Sequence, residues 1–266
     1  MDKTDLKKTI AVCNEVERLL VAIFLFGAAS FLAGCGRSPE NKNVNSNANV
    51  NRSTPVPPSP ERISKQTNVS FSTYSKEWPV GWQWIDPDEK RSPTPHDVKS
   101  GVLRVKVPNQ KDLFGENRTA PRYVKAITGD FQIETRVKFN PTENYQGAGL
   151  LIFKDDNNYL RFERAFGGLG GGGSGLRMDS RDRNGYKTIK TPNDIPTDLQ
   201  EIELRLVRTG GMFTAYWRED DEGEWREAGP YESDFPETIL AGIVICNTAQ
   251  DITAEFQYIR LLPPAG

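Results

Sequence analysis

Residues two apart on an extended strand share a face, so acids, arginines and aromatics at that spacing are where chemistry would first gather in this chain. Tyr159, Arg161 and Glu163 have the spacing, and Leu160 and Phe162 interleave with them. If the apolar pair faces a core, the polar trio faces outward. Aromatic rings stack on the C–H faces of sugars, and planar polar groups bond hydroxyls. Arg177, Tyr186, Trp82, Trp84 and Trp217 are further side chains of those kinds that would complete such a surface. Glu201 and Glu203 also share a face, but Arg205 follows them on it, which reads as a solvated charged surface. No E-x-D-x-E string occurs, so no strand lines up three carboxylates for glycoside chemistry. The single histidine, His96, follows Pro93-Thr94-Pro95 and reads as a solvated loop residue, which leaves nucleophilic triads and histidine metal sites without their histidine. These readings assign no catalytic residue, no metal ligand and no cofactor. Asp155-Asp156 and Glu219–Glu222 read as acidic turns, with structural Ca²⁺ as the alternative at either. The glycine run Gly167–Gly175 lacks the G-K-[ST] ending of a phosphate loop and reads as a long loop flanking a groove.

The elements that must carry these residues are strands. Phe131–Phe139 alternates apolar and polar residues throughout, so its odd positions face a core. Val102–Val107 alternates more weakly, and Gly149–Phe153 is continuously apolar, as expected of a strand covered on both faces or lying under a groove. Asp155–Asn158 supplies turn chemistry before the strand Tyr159–Arg164, which predicts a hairpin. Ile202–Leu206 and Met212–Trp217 form a second hairpin across Thr209-Gly210-Gly211, and Ile239–Cys246 and Ala254–Leu262 follow as strands. Many short strands between turn signals, with no long helical period, predict an all-β, two-sheet antiparallel sandwich. The formal net charge is −2, from 34 Lys+Arg against 36 Asp+Glu. That balance offers no basic field for nucleic acid or anionic lipid.

The first 68 residues differ in composition. Leu19–Ala33 is strongly apolar but shorter than the about 20 residues of a spanning helix. Lys3, Lys7, Lys8 and Arg18 precede it, diluted by Asp2, Asp5, Glu15 and Glu17, and Leu32-Ala33-Gly34-Cys35 ends it. This ending resembles the lipobox of bacterial lipoproteins. The resemblance implies a signal peptide over residues 1–34, cleavage before Cys35, acylation of Cys35 and attachment to a membrane of the cell envelope. In Gram-negative lipoproteins Asp often follows the cysteine when the protein stays at the inner membrane. Gly36 in that place implies the outer membrane. An uncleaved anchor is the alternative. Residues 35–68 are Asn-rich and then Pro-rich, too poor in apolar groups to fold alone. They read as a disordered tether that holds the next domain roughly 30 Å from the lipid. With Cys13 removed and Cys35 acylated, Cys246 alone remains, so no intrachain disulfide forms, and its apolar setting predicts a buried inert thiol.

Residues 69–266 carry a second resemblance. Trp82–Pro87 followed by Ser100–Val105, then Phe131–Pro141, Gly147–Phe153 with Asp155–Tyr159, and Ala254–Leu261 are together similar to the concanavalin A-like domain that ends family 43 β-xylosidases. The same hairpin recurs in laminin-G-like modules. The resemblance implies a jelly roll with one concave face. It implies no hydrolase activity, because the residues left over are too few for the catalytic propeller of those enzymes. The function expected is therefore a membrane-anchored lipoprotein with a non-catalytic carbohydrate-binding domain. A structural or protein-interaction module of the envelope, and a glycoside hydrolase or lyase with an unrecognised carboxylate pair, are the alternatives.

Overall fold

A computed structural model describes residues 59–71, 78–167, 174–189 and 198–264, with residues 191 and 195. Residues 1–58, on which the expected signal peptide, Cys35 and most of the expected tether fall, lie outside the described residues. Two antiparallel sheets face each other, with strands numbered in chain order. The first runs β13 (Arg226–Glu232), β12 (Met212–Arg218), β11 (Glu201–Thr209), β6 (Phe131–Lys138), β15 (Ile252–Leu262), β4 (Val102–Val107) and β3 (His96–Lys99), and β1 (Thr67–Ser70) adds an eighth strand against β15. The seven-stranded sheet runs β10 (Gly185–Ile189), β9 (Ser174–Asp182), β8 (Asn158–Phe166), β7 (Gly147–Asp155), β14 (Thr238–Cys246), β5 (Arg122–Thr128) and β2 (Trp82–Ile85). This is the all-β antiparallel sandwich that the alternation predicts, of the jelly-roll kind that the second resemblance implies.

The period of two sorts residues between the core and the outer faces. Phe131, Ile133 and Val137 of β6, Leu150 and Ile152 of β7, and Leu160 and Phe162 of β8 all enter one core between the sheets. Strand β7 is covered on both faces, since Leu151 and Phe153 join a second apolar cluster with Leu113, Ala120, Val124, Tyr159, Val244 and Cys246. The segment Lys111–Ala120 therefore caps the outer face of the seven-stranded sheet. Its root is fixed by backbone bonds between Lys111 and Asn247 and by the Lys111 Nζ–Asp86 Oδ1 ion pair of 2.8 Å, both side chains 1% exposed. Burial opposes the Asp86 charge, but hydrogen bonds from Lys111 and Thr94 outweigh it and hold its pKa below 3.8.

The hairpin between β7 and β8 turns on Asp155, whose Oδ1 accepts from Asn157 N and Asn158 Nδ2, each at 2.8 Å. Gly210 takes φ +58 between β11 and β12, a left-handed conformation that glycine adopts freely, while its N–H donates to Asp130 Oδ1 at 2.7 Å.

Two sequence expectations need correction. The domain begins before Val69: Ile63 is buried in the core, and Glu61 exchanges backbone bonds with Ala126 and Thr128. Strand β2 pairs only Arg122–Lys125 of β5, so Glu61 takes up the donor and acceptor left beyond it. Composition reads the segment as tether because one isoleucine is its only core residue. His96 is not a loop residue; it opens edge strand β3, with its ring centroid 4.1 Å from that of Trp84. The prolines before it conceal the strand.

Candidate functional site

Tyr159, Arg161 and Glu163 of β8 lie opposite Arg181, Asp179 and Arg177 of β9 in the antiparallel register. On the outer face the register sets two arginines and two acids in a square. Glu163 Oε2 accepts from Arg177 Nη2 at 2.9 Å and from Arg177 Nε at 3.2 Å, and it lies 3.5 Å from Arg161 Nε. Asp179 Oδ2 lies 3.3 Å from both Arg161 Nη2 and Arg177 Nε. Each inner oxygen thus meets both guanidiniums. The outer oxygens, Glu163 Oε1 and Asp179 Oδ1, have no hydrogen bond, nor do Arg177 Nη1 and Arg161 Nε. The four side chains are 0–4% exposed. An unpaired buried polar atom costs about 1–3 kcal/mol, more when charged, so ordered water or ligand hydroxyls are the natural partners of these atoms.

The sequence makes room for the square locally. Gly147 on β7 has no side chain, and a Cβ there would lie 2.8 Å from the Glu163 carboxyl carbon and would collide with Arg177 Nη2. Asp112 Oδ1 reaches down from the capping segment to Arg161 Nη1 at 3.2 Å, and Cys246 Sγ lies 3.1 Å from the same nitrogen. Burial works against the Arg161 charge, but Glu163 and the other electron-rich neighbours outweigh it and hold its pKa well above the ordinary value. Burial, with Glu163 close by, pushes the Cys246 thiol up, so it stays protonated. Tyr186 Oη accepts from Arg161 Nη2 at 2.6 Å and donates to Tyr159 Oη at 3.2 Å, while Tyr159 donates its own proton to the Leu113 carbonyl. Burial is the chief cause raising both phenols, Tyr159 to about 12 and Tyr186 further. Phe114, 43% exposed, meets Tyr186 edge-on with ring centroids 4.7 Å apart. The arrangement is a floor of paired charges with spare donors and acceptors and an aromatic rim beside it.

Five of the eight side chains singled out in the sequence therefore meet here: Tyr159, Arg161, Glu163, Arg177 and Tyr186. The polar trio faces outward from the sandwich as alternation requires, yet it is buried beneath the capping segment rather than solvated. Trp82 and Trp217 do not belong to the site; both lie in the core, as their apolar bulk favours. Trp84 sits at the sandwich edge against Trp78 and His96. Sequence reasoning missed Asp179, Asp112 and Phe114. Asp179 was within reach, two residues after Arg177, but nothing local marks Asp112 or Phe114 as partners of a strand more than 40 positions away.

The outer face of the eight-stranded sheet is also charged, and here Glu203 corrects the expectation of a solvated surface. Glu203 is 1% exposed, held by Arg218 Nη2 at 2.5 Å and by Arg136 Nη1 at 3.7 Å. Glu134, 1% exposed, receives Arg205 Nη2 at 2.5 Å on one oxygen and Arg260 Nη1 at 2.9 Å on the other. Trp225 covers Arg205 and Arg218, with ring centroids 3.9 Å and 4.5 Å from the guanidinium carbons. Cross-strand neighbours of opposite sign explain the burial: the arginine stems lie over the acids and exclude water. Among the described residues no group of three or more His, Cys, Asp or Glu is placed to hold a metal ion, and the Asp155 and Asp220 carboxylates serve their own turns.

The fold and this outer face define a β-sandwich protein of jelly-roll type. The chain belongs to the DUF1349 family, described as a protein of unknown function, whose model matches residues 89–264. No curated protein sequence matches it. Among solved structures, a functionally unknown protein from Saccharomyces cerevisiae is similar with TM-score 0.57 and 14% identity, covering 70% of this chain and 98% of that one. The family 43 glycoside hydrolase BlXynB from Bacillus licheniformis is similar with TM-score 0.58 and 16% identity over 73% of this chain and 39% of that one. A xylan β-1,4-xylosidase from Bacillus halodurans C-125 gives 0.55 and 16% over 73% and 38%. This chain thus corresponds to the β-sandwich portion of those enzymes, well under half their length, and the likeness is one of fold.

Proposed function

We propose that the protein is a lipid-anchored envelope lipoprotein whose sandwich binds saccharide without cleaving it, at the outer face of the seven-stranded sheet. The observation that carries the reading is the Arg161–Glu163–Arg177–Asp179 square, buried and carrying four polar atoms without hydrogen bonds beside the Tyr186–Phe114 rim. Hydroxyl groups satisfy such donors and acceptors, and aromatic rings accept the C–H face of the same sugar. Both acids are clasped by guanidiniums, an arrangement suited to orienting hydroxyls rather than to exchanging protons with a glycosidic oxygen. Asp112 and Leu113 lie over Arg161 and Tyr159, so a sugar reaches the floor when the tip of the capping segment shifts while its root at Lys111 holds. Structural likeness to part of a family 43 glycoside hydrolase and of a xylan β-1,4-xylosidase agrees with a saccharide partner. The Leu32-Ala33-Gly34-Cys35 ending supports acylation at Cys35, a membrane partner and, in a Gram-negative cell, the outer membrane. Calorimetric titration of the purified protein with neutral oligosaccharides tests the binding role: saturable heats that vanish in Arg177→Ala are expected, and no binding at millimolar saccharide overturns it. Palmitate labelling lost in Cys35→Ser is the expected outcome for the anchor; unlabelled wild-type protein overturns that part.

A further inference from the structure

We infer that an open cavity where residues 62–64 join the sandwich is a second binding site, one that takes an amphiphilic carboxylate with its apolar body on Phe235 and Pro263 and its head on Arg208. The cavity shares no residue with the square and does not depend on the saccharide reading. It measures about 730 Å³, within the range of sites for small organic molecules. Its walls are the β5–β6 turn at Gly129-Asp130, the β11–β12 turn at Gly210-Gly211, Phe235 and Glu237 before β14, and Pro263-Pro264 after β15.

Arg208 sets the chemistry. It is 4% exposed, and among the described residues no carboxylate lies within 4.0 Å of its guanidinium. Its partners are backbone carbonyls instead. Nε donates to Gly210 at 3.0 Å, Nη1 to Glu237 at 3.1 Å, and Nη2 to Pro236 at 2.8 Å and to Phe235 at 3.4 Å. A guanidinium carries five N–H groups, so one on Nη1 is unspent. The nearby acids are engaged elsewhere: Asp130 Oδ1 accepts from Gly210 N at 2.7 Å, and Glu237 Oε1 accepts from Arg62 Nη2 at 2.7 Å. Burial lowers the Arg208 pKa against the more distant pull of Asp130 and Glu237, as expected of a cation short of a counter-charge.

Net charge does not choose the ligand, because Arg62 and Arg208 line the cavity against Asp130 and Glu237. The distribution of charge does. Glu237 bonds both guanidiniums, Arg62 through its carboxylate and Arg208 through its carbonyl, so two cations share one acid on that side. A carboxylate arriving there forms charge-assisted hydrogen bonds, whereas an ammonium meets an unpaired cation in a desolvated place. The remaining wall is apolar. Ile63 and Phe235 are buried, and Pro263 and Pro264 stand beside them. These side chains offer no hydrogen bonds, so they take hydrocarbon. Gly129 takes φ +80, and a Cβ there would collide with Arg62 Nη1, so the turn makes room for that arginine at the rim.

The test titrates the full-length protein in detergent with hydrocinnamate, its primary amide, the corresponding primary amine, and acetate. Calorimetry and the nitrogen-15 signal of Arg208 Nε–Hε report binding. Hydrocinnamate should bind saturably and shift Arg208. The amide and the amine should bind at least about tenfold more weakly, because each lacks the charge that Arg208 meets. Acetate, which has no apolar body, should not saturate over the same range. Arg208→Met also strips four carbonyls of their donor, so exposed positions carry the mutational test. Ser64 is exposed and lines the cavity; Ser64→Trp should abolish binding with the melting temperature nearly kept, and Arg62→Gln should weaken it several-fold. The inference falls if hydrocinnamate does not bind at millimolar levels, if the amide or amine binds as tightly, if Arg208 stays unmoved, or if Ser64→Trp binds undiminished.

Discussion

The two outer faces of this sandwich both bury charge, and they do so to different ends. On the eight-stranded face the acids are saturated: both Glu134 oxygens and both Glu203 oxygens have arginine nitrogens within 3.7 Å. On the seven-stranded face one oxygen of each acid is doubly served and the other has no hydrogen bond. The difference follows from geometry. Arginines reach Glu134 from strands on either side, so each oxygen meets its own donor. Glu163 and Asp179 share their two arginines across a single strand pair, and on β7 Gly149 stands opposite Glu163 with Gly147 against its carboxyl group, neither with a side chain to offer. The acids of the first face need no further partner, whereas each acid of the second keeps one oxygen that water or a ligand hydroxyl could meet.

Perturbations of the two faces should separate stability from binding. The largest effect is expected from Lys111→Met, which strands buried Asp86 and unroots the segment capping the seven-stranded face. Breaking a buried pair in this way costs about 3–5 kcal/mol, readable in urea unfolding, and Asp86→Leu added to it should recover part of the loss. Glu134→Ala comes next. It leaves Arg205 and Arg260 without their acid, but they are 23% and 30% exposed, so the cost falls to about 2 kcal/mol, with saccharide affinity unchanged. A change in affinity here would blur the distinction between the faces. Tyr186→Phe removes a hydroxyl that bonds Arg161 and Tyr159; about 1 kcal/mol of stability and a several-fold weaker titration are expected.

Acid supplies a graded version of the same contrast. The folded state holds Asp86 below its ordinary value of 3.8, so its contribution is fully present above that value and fades as pH falls through the depressed native pKa. Unfolding free energy measured from pH 6 downward should therefore decline in the acid range, and Lys111→Met should flatten the part of the decline due to Asp86. The smallest effect is expected from Trp225→Ala, which uncovers Arg205 and Arg218 at a cost of about 0.5–1 kcal/mol without altering binding.

Local patterning made the fold legible, and sequence spacing made half of the site legible. The period-two alternation of Phe131–Phe139 and the unbroken apolar run at Gly149–Phe153 identify core strands because burial on one or both faces leaves a direct trace in composition. Tyr159, Arg161 and Glu163 were readable for the same reason. Burial of that trio was not, since the segment that covers it lies far away in the chain and carries no periodic signal. Glu203 was misread as solvated because a strand sequence shows which face a residue takes but not what neighbouring strands lay over it. Trp82 and Trp217 show the converse: an aromatic suited to stacking on sugar is equally suited to a core, and only the register decides.

The central claim is that the seven-stranded face, and not the eight-stranded one, meets the ligand. Nitrogen-15 spectra of the arginine Nε–Hε groups, recorded while neutral saccharide is added to the full-length protein, test it most directly. The account predicts saturable shifts for Arg161 and Arg177 with Arg205, Arg218 and Arg260 unmoved; movement confined to the latter three, or none at all, contradicts it.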